Sequence, residues 1–294
     1  MAKIGRFVSE QARTEFRTTY DALAARWPVP AVDLEVETSY GTTHVRKSGD
    51  GNGAPLLLFP GIGGSSLFWQ PFIAELSRGR VVYAPDIIGW AGRCEQTAPV
   101  RDEADIARWA AEVLDGLGVR QAHVVGYSLG GWLAAVVAGY RPERVATLSL
   151  LETAPATFAR PPWRVLRKFM AAGVRPSRAK LEKFNTWLQP GVELDELEWA
   201  MVLGTLKFRP GLPWPKPLSD ERFAAVSAPV LALFGAETVV HDPEVAAARV
   251  RRVLPGADVE ICPGAGHDLL WVLPEQVIGR VLEFAGRYDR VDQE

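Results

Sequence analysis

Cysteine is nearly absent from this chain: Cys94 and Cys262 are the only two in 294 residues. That rules against a disulfide framework and points to two reduced, structural thiols in a cytoplasmic protein. No stretch reaches the ~18 consecutive apolar residues of a membrane span. Met1 to Glu10 contains no apolar leader core, which leads to the same cytoplasmic expectation. Neither sign of charge dominates, with 33 Lys and Arg against 35 Asp and Glu and a net charge of −2. A nucleic acid or an anionic membrane would want a basic excess, so neither is an expected partner. The four histidines, His44, His123, His241 and His267, are scattered without ligand spacing, so no metal is expected. What is present is ordinary for a globular protein, 48% hydrophobic and 23% charged, and long enough for one large domain with an insertion.

The informative stretch is Gln121 to Trp132. A Val-rich apolar run stops at Gly126, Ser128 follows, and after Gly130-Gly131 an Ala/Val-rich segment to Tyr140 reads as a helix. This is strand, sharp turn, helix, with a hydroxyl at the apex. Glycines at 126 and 130 omit the Cβ atoms that would collide where strand and helix cross. The G-x-S-x-G spacing in that context is the pattern of a nucleophile elbow.

Around it the chain alternates strand and helix. Residues 9–26 have the apolar spacing of an amphipathic helix, followed by a hairpin of strands over 33–40 and 42–47. Leu56–Phe59 and Val81–Ala84 are continuous apolar runs, as expected of strands covered on both faces. A helix bearing Trp109 and Leu114, the elbow, and strands over 145–151, 229–235 and 258–262 complete a mainly parallel sheet. Residues 154–222 break the rhythm: no convincing strand, prolines from Pro161 to Pro217, and Trp163, Trp187, Trp199 and Trp214. They read as a helical lid inserted into a core made of 1–153 and 223–294.

In an open parallel sheet, chemistry gathers at the carboxyl ends of the strands. A serine there needs a base, and only His267, in Gly264-Ala265-Gly266-His267, combines a loop after a strand with a helix beyond it. The loop Pro60 to Ser66 lacks the Lys of a P-loop, so its bare N–H groups are expected to face Ser128 rather than a phosphate.

Ser128 in its elbow, the Gly-rich loop after Phe59 and the Gly-His near the C-terminus together resemble the α/β-hydrolase superfamily over about residues 30–290. Trp27-Pro28, Ala84-Pro85-Asp86-Ile87-Ile88-Gly89 and Val239-Val240-His241-Asp242-Pro243 resemble bacterial carboxylesterases of the naproxen-esterase type more narrowly. The resemblance implies an eight-stranded, mainly parallel sheet with helices on both faces. It also implies an oxyanion hole from the N–H groups of Leu129 and Ile62. Two positions depart from the family: the oxyanion loop opens Pro60-Gly61 rather than His-Gly, and Thr238 stands where the family places its acid. Glu152 (used by a branch that resembles some haloalkane dehalogenases), Glu237, Asp242 and Asp268 are the carboxylates that can replace it. The implied activity is cofactor-free hydrolysis of a small or medium hydrophobic ester or lactone by a monomer or homodimer. Trp163, Phe169, Phe184, Trp187 and Trp199 are the candidate pocket walls. Thioesterase, amidase, perhydrolase or C–C hydrolase chemistry on the same scaffold is the alternative, as is a ligand-binding protein that has lost its acid. The esterase reading predicts activity that fades in acid, near the ordinary imidazole value of ~6.5.

Overall fold

In the computed structural model, residues 3–153 and 162–289 are described. The main sheet runs in the order β11-β10-β8-β7-β4-β5-β3-β2. These strands are β2 (Ala31–Thr38), β3 (Gly41–Ser48), β4 (Leu56–Phe59), β5 (Val82–Pro85), β7 (Ala122–Tyr127), β8 (Val145–Leu151), β10 (Val230–Gly235) and β11 (Asp258–Cys262). From β5 to β11 every pairing is parallel, and the β2–β3 hairpin joins antiparallel to β5. The eight expected strands are all there; β6 (Glu95–Gln96), too short to show in the apolar pattern, pairs with β3 as a ninth.

β4, β7 and β10 are buried at every residue, and β5 likewise. One layer of core covers each face of the sheet, with Trp109, Trp132 and Phe234 on one side and Trp69, Phe72 and Phe284 on the other. Continuous apolar strands need such two-sided cover, which α2 (Ile73–Leu76), α3 (Glu103–Gly116) and α4 (Leu129–Tyr140) help provide, whereas α1 (Glu10–Ala24) packs Phe16, Tyr20 and Leu23 into a separate cluster. α4 is hydrophobic all round, and eleven of its twelve residues are buried, so it is a core helix rather than an amphipathic one.

The register decides what meets at the carboxyl edge. Phe59 lies opposite Gly126, Tyr127 opposite Leu151, and Leu151 opposite Leu233. Ser128 and Glu152, one step beyond, therefore leave adjacent strands side by side. Ser128 donates its backbone N–H to Leu151 O at 2.9 Å, and Glu152 donates its own to Leu233 O at 2.8 Å.

Between β8 and β10 the chain forms α5 (Trp163–Gly173), α6 (Arg178–Leu188) and α7 (Glu196–Thr205). Residues 154–161, with which the expected insertion opens, lie outside the described residues. The expectation of no strand here meets one small exception: β9 (Phe208–Arg209) pairs antiparallel with β1 (Arg6–Phe7), tying the insertion to the N-terminal segment.

Candidate active site

The elbow is as tight as its glycines imply. A Cβ on Gly126 would lie 2.2 Å from Gly130 O, and one on Gly130 would lie 2.2 Å from Phe59 O. Ser128 sits at φ 53°, ψ −117°. Glu152 also has positive φ, 43°, and among the described residues only Arg175 joins them in that region without being glycine. Two of three strained backbones thus belong to one site, where the surrounding structure must hold them.

His267 comes from the loop after β11. Its Nε2 lies 3.0 Å from Ser128 Oγ. Its Nδ1 lies 3.4 Å from Glu152 Oε1. The other oxygen of Glu152 accepts the N–H of Gly235 at 2.7 Å. Glu152 is fully buried, and Ser128 and His267 nearly so. A buried carboxylate with one strong amide donor keeps its remaining lone pairs for the imidazole beside it.

Four carboxylates stood open in the sequence, and the structure separates them. Glu237 is exposed, its backbone N–H bonded to Ala265 O. One residue short of the usual acid position, it sits on the outer side of the turn that follows Gly235. Asp242 caps the helix Pro243–Val253, accepting from Glu244 N and Val245 N. Asp268 is buried beside His267, yet its oxygens accept from Gly191 N at 2.6 Å and Gly266 N at 3.1 Å. Only Glu152 has its carboxylate against the imidazole. A second histidine, His241, approaches it: Nδ1 lies 3.9 Å from Oε1, and neither ring nitrogen has a hydrogen-bond partner. Burial holds the pKa of His241 below the ordinary imidazole value. Thr238, in the family's acid position, has a buried hydroxyl with no partner.

Leu129 is the first residue of α4, so its N–H has no acceptor inside the helix. Ile62 lines the cavity in front of Ser128 with a half-exposed side chain. The His absent from the start of this loop is replaced by a brace from beneath. Buried Asp86 accepts from Ser66 N at 2.8 Å, Arg93 N at 2.7 Å and the Tyr20 hydroxyl at 3.2 Å. Burial, reinforced by the Asp86 charge, pushes the Tyr20 pKa well above the usual phenol value, so the hydroxyl stays a donor.

The cavity before Ser128 measures about 320 Å³. Its aromatic walls are Phe68, Tyr127 and Trp271, all from the core; the insertion adds Leu188, Val192, Met201 and Val202. This corrects the expected pocket. Trp163 is 65% exposed. Phe169, Phe184 and Trp187 pack with Val165 and Leu188 in a cluster of their own, and buried Trp199 lies under the Arg178 guanidinium. None of the five lines the cavity. The helical spacing located these side chains on helices but carried no information about which face turned to the sheet.

Two hydrogen bonds, unread in the sequence, join insertion and site. The buried Tyr127 hydroxyl meets the His267 carbonyl and lies 3.0 Å from the side-chain amide of Gln189. Both partners are acceptor oxygens, His267 O and Gln189 Oε1, so the single phenolic hydrogen is donated toward the two of them. Gly191 N reaches Asp268, as above. A signal was available: a tyrosine next to Ser128 in a fully buried strand must find a partner for its hydroxyl. Among the described residues no three His, Cys, Asp or Glu side chains converge as metal ligands. Both cysteines are free, and among the described residues no helix is long and apolar enough to cross a membrane.

Residues 56–280 match the Alpha/beta hydrolase family. The chain is 30% identical over 285 residues to the carboxylesterase YbfK of Bacillus subtilis, covering 95% of this chain and 96% of that protein. It is 30% identical over 280 residues to the uncharacterized carboxylesterase nap of the same organism, covering 90% of each. The crystal structure of naproxen esterase (carboxylesterase NP) from Bacillus subtilis superimposes with a TM-score of 0.86 at 28% identity, covering 94% of this chain and 99% of that one. The chain belongs to the alpha/beta hydrolase family. Its full-length similarity to carboxylesterases places it among that family's esterase-type hydrolases.

Proposed function

We propose that the chain is a serine carboxylesterase that cleaves a small-to-medium hydrophobic ester or lactone through an acyl-enzyme on Ser128. The observation that carries this reading is the line from Ser128 Oγ to His267 Nε2 at 3.0 Å and on from Nδ1 to the buried Glu152. His267 takes the serine proton as Oγ attacks the carbonyl carbon. The carbonyl oxygen becomes an oxyanion between the N–H groups of Leu129 and Ile62, a stabilisation of about 3–4 kcal/mol per donor. Collapse breaks the bond to the alcohol oxygen, which receives the proton from His267. Water then repeats the sequence on the acyl-enzyme, releasing the carboxylic acid and regenerating Ser128. Glu152 holds the imidazole tautomer and stabilises the imidazolium, its 3.4 Å contact tightening as charge develops.

A cavity of about 320 Å³ with apolar walls supports an acyl or alcohol group of modest size. Residues 154–222 act as the lid over it, on a core of 1–153 and 223–294, and the free thiols Cys94 and Cys262 support a cytoplasmic setting. A fluorophosphonate probe tests the central claim. It is expected to label the protein stoichiometrically and to fail with Ser128→Ala; labelling that survives that substitution sinks the reading.

A further inference from the structure

We propose that the outer face of α5 is a docking surface for an anionic phospholipid bilayer. The near-zero charge of the whole chain conceals a strong local separation. Between residues 162 and 188 there are seven Lys and Arg and a single acid, Glu182, so this segment carries +6 and the remaining residues −8. Arg178 is neutralised by Glu182 and Glu196. Arg164, Arg167, Arg175 and Lys183 have no ion-pair partner among the described residues. All four are exposed.

The same face carries apolar groups that a surface helix would ordinarily turn inward. Trp163 is 65% exposed, Met170 43% and Val174 63%. They stand at i, i+7 and i+11, with Arg167 at i+4, so they share one stripe along the helix. The other face already has its packing: Val165 and Phe169 meet Phe184, Trp187 and Leu188 of α6. α5 is therefore apolar on both sides, with cations flanking the outer stripe.

That combination selects the occupant. A nucleic acid would use the cations and leave Trp163, Met170 and Val174 in water. A bilayer interface uses both, phosphates for the guanidinium groups and the headgroup–acyl boundary for an indole and its apolar neighbours. The −8 on the rest of the molecule is repelled by an anionic surface, which turns this face toward it. The next helix, α6, supplies Asn185 and Leu188 to the cavity, so the bilayer would meet the protein at the element that walls the site.

Flotation of the full-length protein with phosphatidylcholine vesicles, with and without phosphatidylserine, tests this. Binding is expected to require phosphatidylserine and to fade at high salt. Reversing Arg164, Arg167 and Arg175 together to Glu is expected to weaken it by more than about a hundredfold, at roughly fivefold for each cation removed. Trp163→Ala, with every cation in place, is expected to weaken vesicle binding about tenfold while leaving retention on heparin unchanged. Retention on heparin without vesicle binding would assign the face to a soluble polyanion and overturn the proposal. So would flotation that ignores phosphatidylserine, or that survives the charge reversal. Turnover of a soluble p-nitrophenyl ester, unchanged in these variants, reports that the fold is intact. Ser128→Ala is expected to float like the wild type, so the result stands whichever way the probe-labelling experiment falls.

Discussion

The carboxyl edge of the sheet and the helical insertion above it are held by different means. At the edge, Ser128, Glu152 and His267 are buried, and two of them have strained backbones seated on strands with no exposed residue. In α5, α6 and α7, only Val165, Leu188 and Trp199 are buried. The insertion is fastened to the edge by few contacts, among them Gln189 to Tyr127 and Gly191 to Asp268. Strain can be stored only where packing over-determines the backbone, which suits the rigid region to the reactive roles proposed for these three residues. A thinly packed insertion is better suited to shaping the substrate and to opening.

The sharpest test of this division lies among the carboxylates. Glu152→Gln is expected to lower kcat on a p-nitrophenyl ester by about 10⁴, as loss of the group that orients the imidazole does elsewhere. Glu237→Gln is expected to leave kcat within about twofold. A large loss in Glu237→Gln alone would move the acid to the exposed turn. Tyr127→Phe probes the connection between the regions. It leaves the His267 carbonyl and the Gln189 amide without their partner, at about 1–3 kcal/mol. A kcat lowered about tenfold, with KM less affected, is expected if the hydroxyl helps to place His267.

The insertion's own cluster predicts the reverse pattern. Phe184→Ala removes a half-buried ring that packs on Phe169 and Trp187 but does not reach the cavity. It is expected to cost about 3 kcal/mol of stability in urea unfolding and to leave kcat on a short ester within about threefold. Met201→Ala, on the cavity wall, is expected to change the preferred acyl length with little loss of stability.

The smallest expected effect is a pH dependence far from the edge. His123 in β7 bonds Asp289, which bonds Arg80. Burial, aided by the Arg80 charge, holds the folded His123 pKa below its ordinary value despite Asp289. The unfolded chain therefore takes up a proton near pH ~6.5 that the native state refuses, and stability falls as pH drops from there toward the folded value. Burial opposes ionisation of Asp289, but Arg80 and His123 outweigh it and depress its pKa. Its stabilisation is present above the ordinary carboxylate range and fades below it. Urea midpoints between pH 7.5 and 4 are expected to fall in two stages, the upper one lost in His123→Gln.

Much of this was legible before any coordinates. The elbow is largely a local object: Gly126, Ser128 and Gly130 lie within five residues, and the clash that requires Gly126 comes from Gly130 itself, although the one that requires Gly130 comes from Phe59 on the neighbouring strand. The buried strands were equally plain, because Leu56–Phe59 and Val230–Gly235 permit no other arrangement than cover on both sides. His267 could be chosen from four histidines by the loop that carries it. Among the carboxylates the sequence placed Glu152 ahead of Glu237 without separating them, since both follow the end of a strand and differ in which way the chain turns afterward. The aromatic pocket was misread for a related reason. A tryptophan on a helix declares that it is apolar, not which neighbour it faces, and the cavity took its rings from Phe68, Tyr127 and Trp271 instead.

Taken alone, the order of residues determined the layers, the serine turn and the loop that carries His267, because these depend on periodicity and on short-range pattern. Pairing register decided the rest: Tyr127 opposite Leu151 and Leu151 opposite Leu233 bring Glu152 beside Ser128 and turn its carboxylate to His267. Net charge likewise could not reveal that Arg164, Arg167 and Arg175 stand exposed on the same face as Trp163, Met170 and Val174. Such placements are set by long-range packing, which no local pattern encodes.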